Sequence, residues 1–594
     1  MNPEPGGLNL RFEVDGDDFT SAGQASVQVK KSLRQLGISP DIIRKVSIAM
    51  YEGEINMVIH AGGGVADVLI CEDHIAIRLE DRGPGIADID LAMQEGYSTA
   101  PDAVRSLGFG AGMGLPNMKR YTDDMTIESQ LGKGTTITMR VNLLQTRPSP
   151  YRPYPENDKC KEGNDSMHTY EHSVSLDVTR CTGCTTCLKH CPTEAIRIQE
   201  GHAVINPDRC LDCGLCIRYC PNKAKKATYS RLEDIAHYRW KIALPAPALY
   251  GQFEELGDVD FVLQGLRDIG FDDVVEVAEA AEYVSAYTRL YLKTEGVVKP
   301  VISSACPVVL RLISLRYPTL CGHILQLLPP MEIAAGMARR RAKQAHPELT
   351  DADIGVVFIS PCPAKVSYVR GGFGDYVSRV DEVVSVSDIY FSLLSVMHRE
   401  ETPPSSSRTG RIGVSWATSG GESAALLNDK YLAADGIENV NRVLDQLDNG
   451  NFPSLEFIEL NACPGGCVGG VMAVENPFVA KARLQTLRRY LPVTQAILRG
   501  EDKEFIPGDC FFESLPSYRP IQRLSGNFGE SLRMMAQIQK LRGELPGIDC
   551  GACGAPNCRA FAEDVVRGVA SRADCIVERS RRADGDAGRE EDPV

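Results

Sequence analysis

The chain has 594 residues, 43% of them hydrophobic, and a formal net charge of −15. That length allows about four domains, each able to bury a core of its own. The acidic balance argues against nucleic acid as the main partner, because phosphate binding needs a basic face, and no apolar run reaches the roughly 18 residues of a membrane span. The opening residues, MNPEPGGLNLRFEVDGDD, lack a basic stretch followed by an apolar one, so the expected location is cytoplasmic. Twenty cysteines in such a chain point to metal or redox chemistry rather than disulfides. Cys71, Cys160, Cys321 and Cys510 stand alone and read as packing residues, while the other sixteen fall into spaced groups. So many clustered thiolates would be oxygen-sensitive and suit an anaerobic or microaerobic cell.

Residues 8–145 mix helical and strand patterns. DIIRKVSIAMYEGEINMVIHA, residues 41–61, reads as one amphipathic helix with Glu52, Asn56 and His60 on a shared face. DVLICEDHIAIRLEDRGPGI then reads as two strands and a turn, ending in a D-x-G-x-G loop of Asp81, Gly83 and Gly85. GFGAGMGLPNMKR follows, with Gly108, Gly110, Gly112 and Gly114 ahead of a helix, where backbone N–H groups can meet phosphate. A last strand pair carries Gly132, Lys133, Gly134 and Thr135. In this order and spacing the region resembles the GHKL ATPases, and among them the anti-sigma-factor serine kinases. The resemblance implies Glu52 as general base, Asn56 as Mg²⁺ ligand, Asp81 on the adenine amino group and the glycines 108–114 as a phosphate lid. Gly83, Gly85 and Thr135 complete the implied ATP site. No dimerisation helix with a phosphoacceptor His lies upstream, which disfavours an ordinary sensor histidine kinase.

Residues 146–172 are rich in Pro and polar side chains and read as a linker. Two runs follow within residues 173–230: Cys181, Cys184, Cys187, Cys191-Pro192 and Cys210, Cys213, Cys216, Cys220-Pro221. This duplicated spacing is the bacterial two-cluster ferredoxin signature, in which each fourth cysteine ligates the other cluster. One [4Fe-4S] site then takes Cys181, Cys184, Cys187 and Cys220, and the other takes Cys191, Cys210, Cys213 and Cys216. Zinc is the alternative, and zinc sites seldom use eight thiolates with a Pro after each fourth. Two neighbouring clusters serve electron relay.

Residues 235–505 alternate buried strands and helices, an α/β pattern with a parallel sheet. The apolar strands VISSA, IGVVFIS and LEFIEL each precede a cysteine segment, holding Cys306, then Cys362, then Cys463 and Cys467. Four thiolates suffice for one cubane, at the strand ends where α/β folds place their sites. Gly-Gly pairs flank Cys467 and remove Cβ atoms from a crowded backbone. The three segments resemble the signature segments of [FeFe]-hydrogenases. In that family the four cysteines bind a [4Fe-4S] cubane and the last bridges to a two-iron subcluster, with Lys365 placed where the family's lysine bonds a cyanide.

Departures from that family pattern are specific. Ala305 stands where active members carry a proton-relay cysteine, and Tyr368 where a glutamate is expected. Val308 follows Cys306-Pro307 in place of a tryptophan, Asn461 replaces a methionine, and Gly469-Gly470 is followed by Val471. Cluster ligation looks intact and the proton path looks cut, as in the sensory [FeFe]-hydrogenases. A missing relay group costs roughly 10²–10⁴-fold in rate.

Residues 541–578 carry Cys550, Cys553, Cys558 and Cys575 in LPGIDCGACGAPNCRAFAEDVVRG and beyond, after a helix predicted at 524–544. This resembles a small [4Fe-4S] domain of electron-transfer and corrinoid-linked proteins, with a zinc knuckle as the alternative. The tail, 579–594, is charged and reads as disordered.

The expected fold class is multidomain α/β and α+β: a GHKL ATPase α/β sandwich, a two-cluster ferredoxin-like module, an [FeFe]-hydrogenase-like α/β domain and a small C-terminal [4Fe-4S] domain. The implied cofactors are four [4Fe-4S] clusters, ATP and Mg²⁺, with or without a two-iron subcluster. The implied partners are a protein substrate or antagonist of the kinase domain and a ferredoxin or other redox protein. Three functions compete. The first is a redox or H₂ sensor driving an ATP-dependent serine/threonine kinase or anti-sigma output, with slow hydrogenase activity. The second is a ferredoxin-linked hydrogenase or oxidoreductase with a regulatory ATPase. The third is a cubane-only scaffold or binding protein.

Overall fold

A computed structural model describes residues 7–16, 23–99, 112–143, 172–371, 376–397, 403–495, 506–513, 524–525 and 527–580. Gly108, Gly110, Cys160, nearly all of the linker and the tail from 581 lie outside them. Two compact units emerge, one built mainly on residues 1–167 and the C-terminal segments 520–548 and 558–594, the other on 168–519 with 549–557. Among the described residues no helix is long and apolar enough to cross a membrane.

The first unit is an α/β sandwich. Its antiparallel sheet comprises β1 (Leu8–Asp15), β2 (Gly63–Ile70), β3 (His74–Asp81), β4 (Asp124–Gln130) and β5 (Gly134–Asn142), in spatial order β1-β2-β3-β5-β4. β2 and β3 pair from Gly64 opposite Asp81 to Ile70 opposite Ile75, which sets Asp81 at the end of a central strand. The helices Gln24–Gln35 and Pro40–Asn56 pack together. Pro40 starts the second of them, where its missing N–H costs nothing. Ile42, Ile43, Val46, Ala49, Met50 and Gly53 form its buried stripe, which leaves Glu52 and Asn56 toward its rim. Full burial of side chains such as Leu33, Ile43 and Met50 contributes about 1.5–3 kcal/mol each. The expected single helix over 41–61 is α-helical only to Asn56. Met57–Ala61 widen into a π-turn that ends at Gly62, whose φ of 67° suits glycine. The C-terminal helix begins at Phe528 rather than 524, because the Asn527 side chain accepts from Glu530 N and caps it there.

The second unit starts with a pseudo-duplicated module. β6 (Val174–Leu176) pairs with β9 (Lys225–Ala227), and β7 (Ile196–Gln199) with β8 (His202–Ile205). Two four-residue helices, Thr186–Lys189 and Leu215–Arg218, sit at equivalent places in the two halves. The remainder is α/β. β10 (Trp240–Pro245), β11 (Asp273–Val274), β13 (Ile354–Ser360) and β14 (Glu382–Ser385) form a parallel sheet in the order β11-β10-β13-β14. β12 (Val301–Ile302), β15 (Tyr431–Asp435) and β16 (Phe457–Asn461) form a second parallel sheet in the order β12-β16-β15. All seven residues of β13 are buried, as a strand covered on both faces requires. The expected parallel α/β pattern is thus present as two sheets, and VISSA contributes only a two-residue strand.

Candidate metal centres and nucleotide site

Three strand ends deliver the hydrogenase-type cysteines. Cys306 follows β12 and caps the helix Pro307–Arg316. Cys362 follows β13 and precedes the helix Pro363–Gly371, its N–H donating to Ser360 Oγ at 3.1 Å. Cys463 and Cys467 occupy the turn after β16. The fold brings the four thiols into mutual electrostatic contact. Burial, reinforced by neighbouring Cys306, pushes Cys362 up to about 12, and burial pushes Cys467 up to about 11 against the pull of Lys365. Cys463 is raised as well, by burial and by Cys362, Cys306 and Cys467. Thiols crowded this way hold their protons until cations replace them, which is the donor chemistry of a thiolate-ligated iron cluster.

Backbone crowding explains the glycines here. Gly466 has φ of 94°, and a Cβ on it would lie 2.5 Å from Ser419 N. A Cβ on Gly470 would lie 2.1 Å from Pro361 O. Gly466 therefore lets the Cys467 turn close against Thr418 and Ser419, and Gly470 lets it close against the loop that carries Cys362.

Lys365 lies one turn into the helix after Cys362, its Nζ 3.6 Å from Met331 Sδ and 5.6 Å from the centre of the Phe358 ring. Behind Ala305 stands a buried polar network that sequence reading missed. Ala305 N donates to Ser303 Oγ at 3.1 Å, and Ser303 Oγ donates to Glu422 Oε2 at 2.6 Å. Among the described residues Glu422 Oε1 is buried without a hydrogen-bond partner. Glu459 is buried beside it and accepts from Gly420 N, Ser423 N and Asn461 Nδ2 at 2.8–2.9 Å. Burial, then the charge of Glu459, holds Glu422 well above the usual carboxylate range, and burial raises Glu459 too. Asn461 thus braces a carboxylate of this pair. Tyr368 is buried, and burial followed by the charge of Glu332 keeps its hydroxyl protonated.

The ferredoxin-type cysteines line two voids. Cys181, Cys184, Cys187 and Cys220 surround one, and Cys191, Cys210, Cys213 and Cys216 surround the other. The halves match in detail: Ala195 N donates to Cys191 Sγ and Ala224 N to Cys220 Sγ, each at 3.2 Å. Each void fits a cubane by its donor set and by these N–H···S bonds. Burial pushes Cys216 up to about 12 and raises Cys187, Cys210 and Cys213 as well. Cys184 is lowered by the Thr186 hydroxyl.

Of the last group, Cys550 and Cys553 lie in the second unit, on a segment whose Gly554 O accepts from Ile198 N at 2.9 Å. Cys558 and Cys575 lie in the first unit, Cys558 at the start of the helix Cys558–Val566. Of the isolated cysteines, Cys71 and Cys510 are buried and Cys321 is half-buried.

In the first unit, Glu52 Oε1 accepts from Asn117 Nδ2 at 2.8 Å, and Asn56 lies one turn further along the same helix. Asp81 Oδ1 accepts from Gly83 N at 2.8 Å and Thr135 N at 3.1 Å, which ties the D-x-G-x-G loop to β5. Gly85 turns against Gln130, Gly112 O accepts from Gly96 N at 3.0 Å, and Gly114 opens the helix Gly114–Arg120 beside Glu52 and Asn56.

Comparison with known proteins matches this division. Residues 240–427 and 421–471 match the family "iron only hydrogenase large subunit, C-terminal domain". Residues 173–221 match the 4Fe-4S dicluster domain, 545–577 an Fe–S cluster domain, and 42–145 the histidine kinase-, DNA gyrase B- and HSP90-like ATPases. The anti-sigma F factor of Clostridium botulinum is 33% identical over 133 residues, covering 21% of this chain and 90% of that protein. That of Clostridium acetobutylicum is 35% identical over 138 residues, covering 22% and 91%. An [FeFe]-hydrogenase structure from Chlamydomonas reinhardtii aligns at 15% identity and a TM-score of 0.36, covering 50% of this chain and 97% of that one. The chain therefore belongs, through its N-terminal ATPase, to the anti-sigma F factor family, and it joins that ATPase to an iron-only hydrogenase large-subunit domain and iron–sulfur cluster domains.

Proposed function

We propose that this protein senses redox state or H₂ through hydrogenase-like clusters and passes the signal to an ATP-binding serine-kinase or anti-sigma output. Its partners on this reading are a protein substrate or antagonist of the kinase domain and a redox donor such as a ferredoxin. The observation that carries it is the surroundings of Ala305. Four cysteines and Lys365 converge as a hydrogenase site needs, yet the residue before Cys306 offers a methyl group and a backbone N–H spent on Ser303 Oγ. A site that holds its ligand but moves protons poorly reports occupancy better than it converts substrate.

Cys306, Cys362, Cys463 and Cys467 would hold a cubane, with Cys467 the bridge to a two-iron subcluster and Lys365 its hydrogen-bond donor. That group, when bound, supplies the H₂-binding and electron-accepting chemistry. The chain's own part is to enclose the site, close its loops through Gly466 and Gly470, and place beside it the buried Glu422, held well above the usual carboxylate range by burial and by Glu459. The eight ferredoxin-type cysteines and Cys550, Cys553, Cys558 and Cys575 would hold three more cubanes. Mg²⁺-ATP would bind between Asp81, Asn56 and the 108–114 glycines, with Glu52 activating the serine hydroxyl. Infrared spectroscopy of the matured protein tests the H₂ limb directly: CO and CN⁻ bands are expected, and their absence leaves no site for H₂.

A further inference from the structure

The two ferredoxin-type voids share their cysteine pattern and differ in the charge that lines them. Among their described lining residues, Lys225 is the one charged side chain at the first void and Asp212 the one charged side chain at the second. Both are buried. Lys225 Nζ donates to Ala203 O at 3.0 Å. Asp212 is held from three sides: its Oδ1 accepts from Ser173 N at 3.0 Å, its Oδ2 from Ser367 Oγ at 2.6 Å, and Cys210 Sγ lies 3.6 Å from Oδ1. Its own N–H donates to Cys210 Sγ at 3.4 Å. Lys225 therefore faces the first site and Asp212 the second. Arg311 reaches the second site only from a partly exposed position, its guanidinium donating to Cys210 O at 2.7 Å and Pro207 O at 3.0 Å, where solvent screens it.

We infer that Asp212 and Lys225 separate the two cubanes in potential, so that the site of Cys181, Cys184, Cys187 and Cys220 is the easier to reduce. The inference rests on reading these eight cysteines as ligands of two cubanes. Reduction adds one electron to a cluster and breaks no ligand bond, so a buried anion beside it opposes the step and a buried cation favours it. The electron passes from one cubane, oxidised as the other is reduced, with no further reactant. The second site is the one bonded to the hydrogenase-like domain, through Ser367 and Arg311. An electron on the pair therefore rests at the outer site and must climb onto the inner one before reaching the Cys306 site. Only strongly reducing input crosses that step, which suits a sensor set to respond to a threshold.

An anaerobic redox titration followed by electron paramagnetic resonance tests this on the full chain reconstituted with iron and sulfide. The wild type should show two resolved one-electron steps for the pair. Asp212→Asn should raise the lower step and leave the upper one in place. Lys225→Gln should lower the upper step by more than the lower, so the gap narrows. A single unresolved step in the wild type, or an Asp212→Asn protein with both steps unmoved, overturns the inference. If Asp212→Asn binds less iron than the wild type, Lys225→Gln decides, and an unchanged gap then overturns it. Uptake of zinc instead of iron in the reconstituted wild type would instead overturn the cubane reading itself.

Discussion

Ser303 Oγ donates to Glu422 Oε2 at 2.6 Å, and the two residues are 119 apart in sequence. The bond sets a buried carboxyl behind the position where an active hydrogenase carries a relay thiol. Residual proton delivery past Ala305 would pass this way. H₂ evolution with artificial reductant should therefore be slow, rise in Ala305→Cys, and fall by roughly 10²-fold in Glu422→Gln, the low end of the scale of one relay group. Turnover unaffected by Glu422→Gln would remove Glu422 from the path.

The glycine crowding around Cys467 makes a separate prediction. Gly470→Ala forces a methyl to within 2.1 Å of Pro361 O, so the loops carrying Cys362 and Cys467 must separate. Iron bound per chain after reconstitution should fall, with the ferredoxin-type clusters retained. An iron content equal to wild type would mean that the two loops tolerate the shift.

Nucleotide binding should depend on Asp81 through its charge. Asp81 Oδ1 receives Gly83 N and Thr135 N. Asparagine keeps an acceptor oxygen for those two bonds, so Asp81→Asn should fold normally and still bind Mg²⁺-ATP more weakly, by about tenfold for one charged hydrogen bond. Isothermal titration gives the answer, and equal affinities would reject the adenine contact.

A fourth prediction concerns pH. Burial pushes Glu276 up to about 7 from an ordinary 4.5, even though Tyr250 OH, Ser407 Oγ and Arg408 N all donate to it. Its folded pKa lies above the unfolded one, so the folded state holds the proton more tightly. The resulting stability is fully present below pH 4.5 and is lost as pH rises to about 7, a change of at most about 3 kcal/mol. Glu276→Gln should flatten the fall in Tm over that window. A Tm profile with the wild-type slope would show that another group titrates there.

Much of this arrangement was legible in the sequence because it is written at short range. The spacing of Cys181 to Cys191 and of Cys210 to Cys220 fixes which thiols a single turn can bring together, and the apolar runs before Cys362 and Cys463 are β13 and β16. What stayed hidden depends on contacts between distant segments. Nothing near Glu422 in sequence marks it as the partner of Ser303, and nothing near Asp212 announces Ser367, 155 residues away. The π-turn at Met57–Ala61 was invisible for a different reason: it keeps the helical apolar pattern and changes only how the last turn closes.

A sensor of the proposed kind requires coupling between the clusters and the ATPase. Its most direct test is the affinity of the full chain for Mg²⁺-ATP, measured anaerobically by calorimetry with the clusters reduced under H₂ and again with them oxidised. Coupling predicts different Kd values in the two states and, by linkage, cluster potentials that shift when ATP is added. The same Kd in both states, with potentials unmoved by ATP, would contradict it.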